Sequence, residues 1–147
     1  MIDALFADRG SIGDPGGLAV DGLDVAVYGL DRTGLALSVL CSHAVASVTA
    51  ADADGSRVSA VRNGRPPVGG PLVASALPDA IEAGRLRPTT DIAAAATDAR
   101  LHLLAVGAGL REDDTPDCSA LRSTLRDAAC GIDPGDVVVV IPPVPPG

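Results

Sequence analysis

Apolar residues cluster in short runs along the chain, and segments with helical spacing of apolar residues lie between them. Within a run nearly every position is apolar, as in a parallel strand that is buried on both faces. We predict strands at 24–29, 44–51, 86–90, 101–106 and 137–141. Strands that alternate with helices indicate right-handed βαβ units. The predicted fold is therefore α/β: a Rossmann-like doubly wound parallel sheet in three layers, with its ligand crevice at the carboxyl ends of the strands.

Polar and glycine-rich segments set the limits of this single domain. Residues 1–23 show little periodicity and predict an amino-terminal arm, so the domain spans 24–147. Pro78 should divide one helical pattern into two short pieces, because proline lacks the amide hydrogen that a helix interior needs. Residues 107–116 predict a charged loop. The helical patterns lie at 33–42, 55–62, 72–83, 91–99 and 119–130.

Composition narrows the classes of function. The net charge is −8, which argues against nucleic acid and anionic membrane surfaces as partners. All eleven basic residues are Arg, and all but two of the 19 acidic residues are Asp, so we expect a salt-adapted source such as a halophilic archaeon. The only aromatic residues are Phe6 and Tyr28, which leaves little capacity for stacking on bases or sugars. No secretory or membrane-spanning pattern is present, so we expect a cytoplasmic protein.

Cysteine, histidine and acidic clusters do not form a metal or catalytic pattern. Cys41, Cys118 and Cys130 lack the spacing of a disulfide framework or a zinc site, and the apolar helical patterns around Cys41 and Cys130 predict burial. His102 lies inside a strand pattern, which favours a structural histidine. The acids between 112 and 117 lack the glycine and terminal Glu of a calcium loop and predict a solvated loop.

The turn after the first strand carries the strongest sign of chemistry. Gly29 and Gly34 match the first and last glycines of G-x-G-x-x-G, the dinucleotide-binding turn. Gly29 would permit the tight exit from the strand, and Gly34 the close packing of the helix on it. Amides near Arg32 and Thr33 would face the pyrophosphate at the helix start. The simpler interpretation is that the two glycines serve only a tight turn.

Two aspartates have opposite effects on this site. Asp52 comes 23 residues after Gly29, at the end of the second strand, where an acid accepts hydrogen bonds from the adenosine ribose and favours NAD over NADP. Asp31 replaces the middle glycine and adds a negative charge close to the diphosphate. At about 4 Å and an effective dielectric near 20, the repulsion is on the order of 4 kcal/mol. We therefore expect NAD to bind weakly.

Several later segments resemble the nucleotide-sugar dehydrogenases, the UDP-glucose and UDP-N-acetylmannosamine dehydrogenase family. Residues 52–58 are similar to the family's "D-x-D-x-x-R-V", and residues 83–91 to its "A-G-x-L-x-x-T-T-D". Residues 103–120 resemble its strand, acidic loop and "P-D-L-S" helix start, and residues 133–147 its "P-G-D-L-V-V-V-E-S-T-V-P-P-G". The resemblance covers 24–147 and implies the family's amino-terminal NAD-binding domain.

The resemblance implies both roles and losses. Members oxidise a sugar C6 alcohol to a carboxylate in two NAD-dependent steps; Asp52 and Arg57 would hold the adenosine ribose, and Arg32 and Thr33 the pyrophosphate. The family's catalytic glutamate position is Ile141, and two of its threonine positions are Ala108 and Pro143. No catalytic residue is therefore expected in this chain.

The family's middle helix and sugar-binding domain are also missing from the sequence. We expect a truncated or split dehydrogenase that is inactive alone and that needs a second chain carrying the sugar-binding domain. The alternative is a non-catalytic relic or interaction module with weak or no NAD binding.

Overall fold

The computed structural model describes residues 22–45, 47–107, 109–112 and 115–142. In this part of the chain the strands are β1 (Asp24–Tyr28), β2 (Ser47–Ala51), β3 (Leu86–Thr89), β4 (Leu101–Leu104), β5 (Gly109–Leu110), β6 (Pro116–Asp117) and β7 (Val137–Val140). The helices are α1 (Arg32–Ser42), α2 (Gly55–Arg62), α3 (Pro71–Glu82), α4 (Ile92–Thr97) and α5 (Ser119–Ala128), and a 3₁₀ turn follows at Ala129–Gly131.

Five strands form one parallel sheet in the order β3-β2-β1-β4-β7. From β1 the chain adds β2 and then β3 on one side of the sheet, and it returns to add β4 and then β7 on the other side of β1. The direction of strand addition therefore reverses between β1 and β4. The predicted Rossmann-like doubly wound sheet is thereby confirmed. The separate pair β5 and β6 is antiparallel and overlaps the predicted charged loop, with Asp117 just after it.

Side chains of the central strand β1 enter the core on both faces of the sheet. Val25 and Val27 pack with Cys41 of α1, on the face that α1, α2 and α3 cover. Ala26 and Tyr28 pack on the opposite face, against α4 and α5. The three layers follow from this alternation, because each strand buries successive side chains on opposite faces. The carboxyl ends of β1, β2 and β4 remain uncovered by the layers and open to the same edge.

A single helix, α3, replaces the two pieces predicted around Pro78, and that prediction is wrong. Val73, Leu77 and Ala80 lie on one buried stripe that runs past the proline. Burial of a continuous stripe outweighs the roughly 3 kcal/mol that an interior proline costs a helix.

Two predictions of burial are also wrong. β7 lies at the edge of the sheet, and its four valines are 39–51% exposed, because the strand pairs only with β4 and no described core cluster includes it. Cys130 is exposed because α5 ends at Ala128, which leaves the cysteine in the 3₁₀ turn. Cys41 is half-buried, and burial raises the pKa of its thiol.

The predicted arm at 1–23 lies outside the described residues, apart from Gly22 and Leu23. No helix in the described ranges is long and apolar enough to cross a lipid bilayer.

Candidate functional site

A crevice of about 330 Å³ opens at the carboxyl ends of β1, β2 and β4. This edge lies where the strand order reverses, which is where open α/β sheets bind their ligands. The turn after β1 forms its floor, the segment after β2 one wall, and α5 the opposite wall. Its lining residues are Gly29, Asp31, Ala51, Asp52, Ala53, Asp54, Arg57, Ile92, Val106, Gly107, Ala120, Ser123, Thr124 and Asp127.

The two glycines of the turn permit a very close approach of backbone segments. Gly29 has φ +98°, and a Cβ there would lie 3.1 Å from the backbone nitrogen of Val106. A Cβ on Gly34 would lie 1.8 Å from the carbonyl oxygen of Gly29, a distance that no side chain can occupy. The helix α1 therefore starts directly against the end of β1, as the packing role predicted for Gly34 requires.

Asp31 is the N-cap of α1, and its carboxylate occupies the amino terminus of the helix. Asp31 Oδ1 accepts hydrogen bonds of 3.0 Å from the backbone nitrogens of both Thr33 and Gly34. The other oxygen, Oδ2, faces the loop after β4, where a Cβ on Gly107 would lie 3.7 Å from it. The amides that would hold a diphosphate are thus bonded to a carboxylate of the same chain.

Asp52 is buried at the end of β2 and fixes the turn. Its Oδ2 accepts a 2.7 Å hydrogen bond from the backbone nitrogen of Leu30, and its Oδ1 a 2.8 Å bond from that of Asp54. Arg57 Nη1 lies 3.4 Å from the same Oδ2. A carboxylate has about four acceptor positions, so these three contacts leave one position, on Oδ1.

Arg57 stands over this carboxylate from the first turn of α2. The Arg57 guanidinium also lies 3.6 Å from Asp54 Oδ2, and its side chain is 46% exposed. Asp54 caps α2, and hydrogen bonds from the Ser56 hydroxyl and the backbone nitrogens of Ser56 and Arg57 lower the pKa of its carboxyl. Asp54 is therefore committed to the helix start, while Asp52 and Arg57 face the crevice together.

The predicted site residues lie together at one edge of the sheet, but only four of the seven line the crevice. Gly29, Asp31, Asp52 and Arg57 line the crevice. The side chains of Arg32 and Thr33 are exposed at the start of α1, and Gly34 is buried beneath them; these three do not line it.

The α5 wall of the crevice was not predicted from the sequence. One face of that helix carries the polar residues Ser123, Thr124 and Asp127. The only sign of this face in the sequence is that polar residues recur there after one helical turn. Ile141 follows β7 and packs partly buried against the core. The positions of Ala108 and Pro143 lie outside the described residues.

Charge distinguishes this crevice from an ordinary phosphate site. Four of its lining residues are aspartates, Asp31, Asp52, Asp54 and Asp127, and Arg57 is the one basic side chain among them. Apolar walls from Ala51, Ile92 and Val106 suit a planar base or a sugar ring. The arrangement offers carboxylate acceptors and apolar surface to a ligand, and its excess of negative charge opposes the approach of an anionic group.

Comparison with protein families gives a single assignment for this arrangement. Residues 23–147 match the model of the UDP-glucose/GDP-mannose dehydrogenase family, NAD binding domain. No protein of curated function matches the chain.

Solved structures agree in fold. A UDP-glucose dehydrogenase from Pyrobaculum islandicum superposes with a TM-score of 0.79 at 26% identity, over 91% of this chain and 32% of its own. A UDP-D-ManNAc dehydrogenase from Pyrococcus horikoshii gives 0.79 at 24% identity, over 85% and 29%. A GDP-mannose dehydrogenase from Pseudomonas aeruginosa gives 0.76 at 22%, over 82% and 28%. The last two, below 25% identity, show the fold alone, and the chain spans about a third or less of each structure.

Proposed function

The chain belongs to the UDP-glucose/GDP-mannose dehydrogenase family, of which it carries the NAD-binding domain, and from this premise we propose that its crevice binds NAD weakly. The observation that carries the proposal is the pairing of the Gly29 turn with Asp52, joined by the bond from Leu30 nitrogen to Asp52 Oδ2. Asp52 would accept a hydrogen bond from the adenosine ribose, with Arg57 beside it. The same carboxylate would repel the 2′-phosphate of NADP, so NAD is favoured.

The weakness of binding follows from Asp31. If its side chain stays in place, it faces the diphosphate at a cost on the order of 4 kcal/mol. If it rotates away, α1 loses its N-cap, which costs about 1 kcal/mol. Rotation is the cheaper route, so the penalty is at least about 1 kcal/mol, or roughly fivefold in affinity.

The activity we propose belongs to a larger assembly. In it a second chain with the sugar-binding domain would join this one to oxidise the C6 alcohol of a nucleotide sugar. One feature supports this: the β7 valines are exposed at the edge of the sheet, where a further domain could cover them. An isolated chain would not reduce NAD, since Ile141 stands where the family's catalytic glutamate is expected and offers no acid or base.

A second candidate is a non-catalytic Rossmann module that binds partners through its surface. The internal bonds of Asp31 favour it, because they satisfy the amino terminus of α1 without any ligand.

The acidic, lysine-free composition also supports a salt-rich cytoplasm as the setting of either function. In molar salt the screening length falls to about 3 Å, which would reduce the repulsion at Asp31.

Calorimetric titration of the chain with NAD, at low and molar NaCl, tests the proposal. We expect saturable but weak binding of NAD, no binding of NADP, and no NADH formation with UDP-glucose or UDP-N-acetylmannosamine. Asp79→Asn removes an exposed negative charge of α3, outside the crevice, and should bind NAD like the wild type. It serves as the control for a change of net charge alone. Absence of NAD binding at every salt concentration would favour the non-catalytic module. Formation of NADH by the isolated chain would contradict the proposed need for a second chain.

A further inference from the structure

The diphosphate half and the nucleoside half of the crevice differ in what they offer a ligand. Near Asp52, one acceptor position of a fixed carboxylate and apolar walls are available. At the start of α1, the amides of Thr33 and Gly34 already donate to Asp31 Oδ1. A carboxylate in that place presents the charge and the acceptor oxygens of one phosphate group.

We propose that this crevice selects an uncharged nucleoside, adenosine, over its phosphorylated forms, because Asp31 takes the place of the diphosphate. The inference rests on the proposed function, which identifies adenosine as the nucleoside. It goes further, since it reverses the usual contribution of the diphosphate: phosphate groups would reduce affinity here rather than supply it.

Three observations support this reversal. The two bonds of Asp31 have ordinary lengths and come from adjacent residues of one turn, so the carboxylate fits the amides as a cap. Its second oxygen faces Gly107 across the mouth of the crevice, so a diphosphate would meet negative charge there as well. Among the residues that line the crevice, four aspartates stand against Arg57 alone.

Arg57 does not restore the phosphate site. It lies 3.4 Å from Asp52 and 3.6 Å from Asp54, so its charge is shared between two carboxylates. Its contacts place it at the ribose end of the crevice, beyond β2, whereas the diphosphate position lies at α1. A nucleoside would use this end of the crevice and leave Asp31 in place.

The test is a ladder of ligands titrated into the full chain: adenosine, AMP, ADP-ribose and NAD. For the wild-type protein we expect adenosine to bind most tightly and ADP-ribose and NAD to bind roughly fivefold or more weakly. Raising NaCl should strengthen NAD binding by screening the repulsion and leave adenosine binding unchanged. Ordinary phosphate sites respond to salt in the opposite direction.

Two variants separate the charge of Asp31 from its hydrogen bonds. Asp31→Asn removes the charge but keeps a capping side chain, and Asp31→Gly removes both at little cost to the helix. Both should bind NAD more tightly than wild type and adenosine equally well. The gain should be roughly fivefold or more in Asp31→Gly and smaller in Asp31→Asn, whose amide side chain still caps α1. Asp91→Asn and Asp91→Gly, at the N-cap of α4, are the matched controls and should leave the ladder unchanged.

The outcomes distinguish the two proposals. If wild type binds NAD as tightly as adenosine or more tightly, or if the Asp31 variants leave the ratio unchanged, the inference is wrong and the proposed NAD function stands. If wild type and both Asp31 variants bind none of the four ligands, the proposed function itself fails. If only Asp31→Gly binds NAD and no form of the chain binds adenosine, the selection of adenosine is wrong although the block by Asp31 is real.

Discussion

The hydroxyl of Tyr28 lies 2.9 Å from Nδ1 of His102, across two neighbouring strands in the core. Both side chains are fully buried, and their rings stack with centroids 6.1 Å apart. Burial raises the pKa of Tyr28 to about 12, so its hydroxyl remains a neutral donor. Nδ1 is then the acceptor, which places the ring hydrogen on Nε2, 3.5 Å from Asp136 Oδ2. The histidine that the sequence identifies as structural thus links the sheet core to the loop before β7.

Tyr28→Phe should lower the free energy of unfolding by about 1–3 kcal/mol, because it leaves a buried ring nitrogen without its donor. Urea denaturation at neutral pH measures the loss. In a His102→Leu background the same change should cost little, because the hydroxyl has then already lost its partner. Equal losses in both backgrounds would show that the Tyr28–His102 bond contributes nothing to stability.

Asp136 makes the free energy of unfolding of the domain depend on pH in the acidic range. The backbone amide of Asp133, followed by the His102 side chain and the Arg100 guanidinium 3.2 Å away, lowers the pKa of its carboxyl below 3.8. A carboxyl with a lowered pKa stabilises the folded state above its unfolded pKa, and this stabilisation disappears as pH falls through the folded value.

Asp136→Asn should therefore be less stable than wild type at pH 7, and the difference should shrink as the pH falls below about 4. Urea denaturation at a series of pH values measures it. Asp133→Asn removes a carboxylate from the same loop but keeps the backbone amide that bonds Asp136, and it serves as the control. A difference that stays constant from pH 7 to pH 3 would contradict the assignment of Asp136.

The sequence predicts those parts of the molecule that local pattern and chain order determine. The apolar runs and the turn glycines predict the sheet, its crevice and the edge at which Asp52 lies, since the carboxyl ends of parallel strands must share an edge. The pattern of side chains does not predict which strand lies at the edge of the sheet with its faces uncovered. The four valines of β7 were therefore predicted to be buried. Nor does a local pattern show that Asp31 accepts hydrogen bonds from the amides beside it. An aspartate that caps the helix and an aspartate that only adds an unfavourable charge look the same in the sequence. Pro78 shows the third limit: tertiary burial overrides a local preference.

Gly34→Ala should destabilise the domain by about 3 kcal/mol or more, at the upper end of the cost of overpacking. The added Cβ would meet the backbone oxygen of Gly29 at 1.8 Å, and neither segment can move without separating α1 from β1. Thermal unfolding followed by circular dichroism measures the loss. Gly55→Ala, at the first residue of α2, meets only Thr90 at 4.0 Å and should be neutral or stabilising. Similar melting temperatures for the two variants would mean that the contact at Gly34 is not tight.

Asp52→Asn should affect both stability and binding, because this one carboxylate fixes the turn and faces the crevice. An amide side chain has one acceptor oxygen, so it can bond the backbone nitrogen of Leu30 or that of Asp54 but not both. The donor left without a partner should cost about 1–3 kcal/mol, and adenosine affinity should fall with it. Asp54→Asn removes the same charge two residues away and should stay near wild type in stability, because asparagine caps α2 nearly as well as aspartate. Urea denaturation gives the first effect, and titration with adenosine at a temperature where both variants are folded gives the second. If Asp52→Asn unfolds like wild type, the carboxylate does not fix the turn; if it also binds adenosine like wild type, the ribose contact lies elsewhere.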